Sequence, residues 1–283
     1  MNLKAIFKTL AVICTIMLYL APPLMAGCKL VIDNAISIPL LPDMQTETTY
    51  LFGDNHIKVS SEDKSSLLVK LVDIDMGETL TMLYDLANHV KYSIDHDEKS
   101  FTIDSLIDQG IFYDSLLASL DTMQFDNDIK YDWGIKPEVV REDSILNIPC
   151  RLLEITGCGK VVDDTTEALH FSLQCWFAKP VGAYNCMEKP YQRLMDIAGF
   201  DPFELFQPMV LFAPAFGVDI GGMTSIIREY KDFPLQVTFI VQSVEDDSRT
   251  TIFSMSRKPL HITDDDIPDT EFLLPDGYTQ AIE

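Results

Sequence analysis

The stretch Thr46–Ser60, with the sequence TETTYLFGDNHIKVS, sets the fold class of this chain. Its first seven residues combine threonine with aromatic side chains, which favour a pleated strand. The Gly-Asp-Asn sequence at 53–55 is typical of a tight turn. Because Ile57 and Val59 then alternate with polar residues, the whole stretch predicts a β-hairpin.

Strand-like runs with polar turns between them continue along the chain and predict an antiparallel meander. Apolar residues at helical spacing predict a helix over 104–122, and 125–134 reads as a polar connector. The apolar faces of the hairpin around 163–166 match in a register that pairs Leu153 with Leu173. The predicted strand runs are 67–74, 79–86, 90–94, 101–103, 151–156, 169–177, 235–244 and 250–255.

The segment 187–216 is the most apolar part of the chain after residue 27, and it is rich in methionine and phenylalanine. Prolines cut it into short helices, and its charged residues exclude a membrane span. Methionine suits adaptable apolar surfaces, so we predict that the segment lines or caps an apolar cavity. An alternative is that it completes a filled core. The candidate ligand-binding residues are Met187, Leu194, Met195, Phe203, Phe206, Met209 and Phe212.

The first 27 residues have the order of a secretory signal peptide: two lysines, an apolar run over 10–20, two prolines and small residues. Residues 28–283 would then form the mature protein. Met25-Ala26-Gly27-Cys28 resembles a bacterial lipobox, which implies that Cys28 carries a lipid anchor. Simple cleavage after Ala26 is the alternative.

Four further cysteines, Cys150, Cys158, Cys175 and Cys186, fall within 37 residues of each other. An exported protein meets an oxidising compartment, so we expect them to form disulfides, with the pairing left open. A zinc site usually contains a close C-x2-C pair, which is absent from this sequence.

Charge and motif content exclude several function classes. Lys4 and Lys8 lie in the signal segment, which leaves 19 basic against 44 acidic residues and a net charge of −25. Such a chain is repelled by nucleic-acid phosphates. The sequence has no G-x-S-x-G, H-E-x-x-H or glycine-rich phosphate loop. We therefore expect no enzyme, no catalytic residues, no metal site and no cofactor.

Several short motifs resemble a group of secreted bacterial proteins of unknown function that is similar to the LolA-like lipoprotein carriers. The most specific is the closing sequence FLLPDGY at 272–278; IPCRL at 148–152 and CWFA at 175–178 occur in the same order. The resemblance covers about 46–280. It implies one α+β domain over 28–283, in which a strongly curved antiparallel sheet, a half-barrel, holds short helices in its concave face.

In relatives of known role, that concavity holds acyl chains or other apolar ligands. The resemblance therefore implies a non-enzymatic, extracytoplasmic protein that binds an apolar, lipid-like ligand. An envelope lipoprotein with a filled core, which contacts another envelope protein, is the alternative function. Either protein would lie in the bacterial periplasm or at the outer membrane, held to the membrane only through its N-terminal lipid, or else be secreted.

Overall fold

A computed structural model describes residues 27–39, 43–65, 80–111, 115, 131–161, 167–179, 185–199, 232–245, 248–264 and 267–281. Twelve strands within these ranges form one sheet. Their bounds are β1 Cys28–Ser37, β2 Met44–Phe52, β3 His56–Asp63, β4 Leu80–Asp85, β5 Val90–Asp95, β6 Ser100–Ser105, β7 Tyr131–Ile145, β8 Ile148–Val161, β9 Glu167–Ala178, β10 Pro234–Glu245, β11 Ser248–Thr263 and β12 Thr279–Gln280.

Two antiparallel meanders make up the sheet, in the order β12-β6-β5-β4-β3-β2-β1-β11-β10-β9-β8-β7. The first meander comprises β1 to β6 and the second comprises β7 to β11. Pairing of β1 with β11 joins them at the centre, so the first strand of the chain is an inner strand. The short strand β12 pairs in parallel with β6 at one edge.

Helices are a minor component of the described residues. Residues 106–111 are helical and are called α1, and residue 115 is helical as well; Asn185–Ala198 forms helix α2, and Asp269–Phe272 forms a 3₁₀ turn. The protein is thus mostly β, and the predicted α+β balance is wrong for the described part of the chain. The predicted antiparallel sheet is confirmed as one large open sheet, whereas the half-barrel curvature stays a prediction.

The predicted hairpin at the start of the sheet is confirmed by β2 and β3, which pair through Phe52 and Ile57. Three strands, β1, β7 and β12, were not predicted, and the connector proposed for 125–134 is wrong from Tyr131 onward because β7 begins there. The predicted strand over 67–74 and the helix beyond 111 lie outside the described residues, apart from residue 115.

The register predicted for the hairpin of β8 and β9 is wrong by two residues. Leu153 pairs with Cys175 instead of Leu173, which pairs with Ile155. A shift of two leaves every side chain on its predicted face because strand side chains alternate with a period of two. The apolar pattern therefore identified the correct face, while the turn, at 162–166, lies outside the described residues.

Buried side chains form three clusters on this sheet. The helix-side core joins β1–β4 to α2 and includes Leu30, Ile32, Tyr50, Phe52, Ile57, Tyr84, Met187, Tyr191, Leu194 and Phe233. The β8–β11 core includes Leu153, Ile155, Phe171, Leu173, Cys175, Val237, Phe239 and Phe253. The strap core, where the C-terminal segment crosses the opposite face of the first meander, contains Leu83, Ile94, Ile267 and Phe272.

Helix α2 ends against α1 at a glycine contact. A Cβ atom at Gly110 would lie 2.1 Å from the carbonyl oxygen of Ala198, a backbone atom in the last residue of α2. Helix α2 then stops at Gly199, which has a φ of +71° and donates its N–H to the carbonyl of Met195 at 2.8 Å. Only a residue without a side chain fits at position 110 while the two helices keep this distance.

We expect Gly110→Ala to lower the free energy of unfolding by about 1–3 kcal/mol, the usual cost of overpacking. Helix propensity alone would raise it by about 1 kcal/mol, so the sign of the change distinguishes the two effects. Urea denaturation gives the difference. Gly134→Ala is the matched control because a Cβ atom there meets nothing within 4 Å. Stabilisation by Gly110→Ala would show that the contact with α2 is loose.

Candidate ligand-binding site

Helix α2 lies over the helix-side core with one apolar face. Met187, Tyr191 and Leu194 follow each other at intervals of four and three residues, which places them on the same side of a helix. Met187 is 1% exposed and Leu194 is fully buried. Met195 is partly buried against the same core. Three of the predicted ligand-binding residues thus lie together, and their contact with a ligand stays a prediction. The other four, Phe203, Phe206, Met209 and Phe212, lie outside the described residues.

An aromatic cluster connects α2 to the sheet. Phe233, which precedes β10, lies with its ring centroid 5.1 Å from Tyr191, 5.7 Å from Phe52 and 6.5 Å from Tyr50, each in an edge-on arrangement. Tyr50 and Phe52 stack at 6.1 Å on β2. Edge-on and offset contacts of this kind are the favourable geometries of aromatic rings. This cluster fixes the position of α2 on the sheet.

A disulfide ties the first turn of α2 to β1. It joins Cys186 to Cys28, with 6.0 Å between their Cα atoms. Cys28 is fully buried and belongs to the helix-side core. One sulfur atom cannot carry both a disulfide and a lipid thioether, so this bridge takes the place of the lipid predicted for Cys28. This pairing was not predicted, because the sequence pattern assigns Cys28 to a lipid anchor.

Cys150, Cys158 and Cys175 are not disulfide-bonded in the structure, so of the four cysteines predicted to form disulfides only Cys186 does so. Across the β8–β9 pair, Cys150 lies opposite Ala178 and Cys158 lies opposite His170. Cys175 pairs with Leu153 and therefore points to the other face of the sheet from Cys150 and Cys158. The Cys150 thiol donates to the carbonyl of Ile148 at 3.2 Å, and burial raises its pKa.

The most unusual side chain on the helix-covered face is Arg257 of β11. It is 4% exposed, and its Nη1 donates to the Tyr50 hydroxyl at 3.0 Å. The guanidinium carbon lies 4.9 Å from the centroid of the Tyr50 ring, a cation–π distance. Its Nε and Nη2 atoms are buried without a hydrogen-bond partner. A charged group is thus held in the protein interior with two donors unused.

Polar side chains continue from Arg257 across the neighbouring strands. Arg257 pairs with Asn34 of β1, whose Nδ2 donates to Thr48 Oγ1 of β2 at 2.9 Å. The Thr48 hydroxyl lies 3.1 Å from the hydroxyl of Ser61 on β3. We call these four residues the polar strip. Because Ile32 precedes Asn34 by two residues and Tyr50 follows Thr48 by two, the strip shares its face with the helix-side core.

A groove with a volume of about 400 Å³, which we call the thiol groove, lies on β7–β10, on the face of β8 and β9 that carries Cys158 and His170. Cys158 Sγ lies 3.4 Å from His170 Nε2 within it. Burial, and then the charge of Arg249, lower the pKa of His170. The lining includes Lys136, Glu154, Cys158, His170, Ser172, Gln242 and Arg249. Phe171 and Ile240 add apolar surface to this lining.

Neither the polar strip nor the thiol groove was predicted from the sequence. Within the described ranges, no group of three His, Cys, Asp or Glu side chains is arranged to hold a metal ion. The same part of the chain contains no helix that is both long enough and apolar enough to cross a bilayer.

Comparison with known proteins adds little to this picture. No family model matches the chain, and no curated protein matches it. Among solved structures, a LolA superfamily protein from Nitrosomonas europaea is similar at 9% identity, with 89% of this chain and 91% of that chain covered and a TM-score of 0.31. A TM-score this low does not establish a shared fold, so the function must be argued from this chain's own geometry.

Proposed function

We propose that this protein is a non-enzymatic, extracytoplasmic binding protein that holds an apolar, lipid-like ligand on the helix-covered face of its sheet. The observation that carries the proposal is the construction of that face. Aromatic and aliphatic rows of β1–β4 are covered by one amphipathic helix, which is tied to the sheet by a disulfide at its first turn. A cover joined to the sheet by a covalent bond at its first turn, and by packing alone elsewhere, is suited to admitting and releasing a ligand.

The polar contacts in the first turn of α2 also support the proposal that this helix can move away from the sheet. Glu188 lies in its first turn with Oε2 buried and without a partner. Burial, and then the negative charge of Asp232, raise the pKa of Glu188. The other oxygen, Oε1, accepts from Gln192 Nε2 at 2.8 Å, so among the described residues the carboxylate is only half paired, and it is less stable there than a fully paired one would be. The described contacts thus combine a firm apolar attachment with a polar edge that is only partly paired.

Extracytoplasmic location follows from two independent features. Disulfides persist in oxidising compartments, and the bridge between Cys28 and Cys186 needs one. Residues 1–27 have the signal-peptide pattern described above. We place the protein in the periplasm or outside the cell, with the disulfide in place of a lipid on Cys28.

The second candidate is a structural or interaction protein of the envelope with a filled core. Near-complete burial of Met187 and Leu194 favours it, because such side chains have no surface left to offer a ligand while α2 is seated. The two functions differ in whether α2 can be displaced by an apolar molecule. A measurement of ligand binding in solution distinguishes the two functions directly.

We expect mature protein purified from the periplasm to bind a dansyl-labelled fatty acid saturably. Met195→Glu places a charge at the border of the helix-side core and should weaken binding about tenfold or more, because a buried charge costs several kcal/mol. Lys189→Gln changes the net charge equally on the exposed side of α2 and should leave the affinity unchanged. Fluorescence titration gives both affinities, and circular dichroism confirms folding. A wild-type protein with no saturable binding would support the filled-core alternative.

A further inference from the structure

Arg257 presents a problem that the proposed function does not by itself explain. A guanidinium is charged at every accessible pH, and a buried charge is costly unless it is paired. More than nine in ten buried polar groups in folded proteins have a hydrogen-bond partner. Among the described residues Arg257 has one, the Tyr50 hydroxyl, while Nε and Nη2 have none. Its burial therefore points to a partner of opposite charge from outside the described residues, and a bound anion would supply it.

The geometry of the free atoms indicates which chemical group fits. Nε and Nη2 form one edge of the planar guanidinium, and two parallel N–H groups on such an edge match the two oxygens of a carboxylate or phosphate. The bond from Nη1 to Tyr50, together with the ring beneath the guanidinium carbon, fixes the plane and leaves that edge unoccupied. The arrangement is preorganised for an oxyanion.

The surroundings of this edge indicate what the oxyanion is attached to. The polar strip borders the helix-side core, and Tyr50 belongs to both the Arg257 contact and the aromatic cluster with Phe52 and Phe233. A molecule bound to Arg257 through an anionic end would have its remaining part against this apolar surface. Asn34 and Thr48 supply neutral polar groups beside it.

We propose that the ligand is a single-chain amphiphile whose oxyanion end, a carboxylate or phosphate, is bound by the Nε–Nη2 edge of Arg257. The chain of the amphiphile lies on the helix-side core. This inference rests on the proposed function and adds the chemical class of the ligand and the residue that recognises its head.

The experiment compares three molecules with the same twelve-carbon chain: dodecanoic acid, dodecyl phosphate and dodecanol. Titration calorimetry of the mature wild-type protein should show the acid, the phosphate or both binding about tenfold or more tightly than the alcohol, the difference expected for a charge-assisted bond. Whichever anion binds more tightly identifies the head group. In Arg257→Met this preference should vanish, while dodecanol binds as it does to the wild type.

Three controls keep the result interpretable. Lys258→Met removes a charge from the neighbouring, exposed position of β11 and should keep the preference. Arg257→Lys retains the charge without the bidentate edge and should lose most of the preference. Arg257→Met should raise the melting temperature of the unliganded protein, because an unpaired buried charge is removed.

Some outcomes would overturn the inference. Equal affinities for the three molecules in the wild type would refute the oxyanion site while leaving the apolar site intact. A preference that persists in Arg257→Met, accompanied by a lower melting temperature, would assign Arg257 a purely structural role. If none of the three molecules binds, the proposed function fails and this inference fails with it.

Discussion

Replacing Cys186 by serine is expected to lower the free energy of unfolding by about 2–4 kcal/mol, the typical contribution of a native disulfide. The bridge to Cys28 closes a loop across 158 residues of sequence, for which the chain-entropy relation gives about 5 kcal/mol as an upper value. It also holds α2 on the sheet. Urea denaturation of the oxidised wild type and of Cys186→Ser, at the same pH, measures the difference.

Cys158→Ser is the matched control because Cys158 is a partly exposed free thiol. It should change stability by less than about 0.5 kcal/mol, the usual range for surface substitutions. A reducing agent should destabilise the wild type and leave Cys186→Ser unchanged. Intact mass of the mature protein tests the same bridge independently. A mass increased by acyl chains on Cys28, with Cys186 reactive toward a thiol reagent, would contradict the disulfide and restore the lipid anchor.

The second large effect is expected for Phe233→Ala. This substitution should lower the free energy of unfolding by about 3–5 kcal/mol, as phenylalanine truncations in well-packed cores do. Phe233 is 1% exposed and touches rings from both α2 and β2. Its removal leaves a cavity at the place where the helix contacts the sheet. Chemical denaturation gives the loss of stability.

Phe101→Ala provides the comparison for Phe233→Ala. Phe101 lies on β6 and is only partly buried against the strap core. Its replacement by alanine should therefore lower the free energy of unfolding distinctly less than Phe233→Ala does. Fatty-acid binding by Phe233→Ala, measured below its denaturation midpoint, should be weaker than in the wild type, because α2 loses its aromatic attachment. A loss of stability below about 1.5 kcal/mol would show that the helix-covered face collapses to fill the cavity.

Where the sequence predicted strands correctly, residues alternate between an apolar and a polar face. Tyr50 and Phe52 on β2 and Ile57 and Val59 on β3 show that period, and the structure places them together in one core. β7 also shows this period in its first half, where Tyr131, Trp133 and Ile135 alternate with polar residues or glycine, so the pattern was present in the sequence although that strand was not predicted. In β1 the pattern is less regular, because Val31 is buried together with Leu30 and Ile32.

The sequence predicted only the part of the candidate site whose residues are close together in the chain. The apolar residues Met187 and Leu194 lie within one short segment, and the structure places both in the helix-side core, while their contact with a ligand stays a prediction. Arg257 gave no such signal, since a single arginine in a polar strand is usually exposed. Its burial depends on strands β1, β2 and β10, which come from distant parts of the chain. The pairing of Cys28 with Cys186 was not predicted either, and these two residues also lie far apart, 158 residues, in the chain.

The central position of β1 has a consequence for how the chain folds during synthesis. Lys29 of β1 pairs with Thr263 of β11, so 234 residues must follow before that edge of β1 finds its partner. At ribosomal rates of 5–20 residues per second, this takes roughly 12–47 s. A protein dominated by such distant pairings also folds slowly once complete. Throughout that interval the backbone N–H and C=O groups on this edge of β1 are unpaired and can pair with a strand of another chain. We therefore expect a chaperone that covers residues 28–37 to suppress aggregation of the nascent chain.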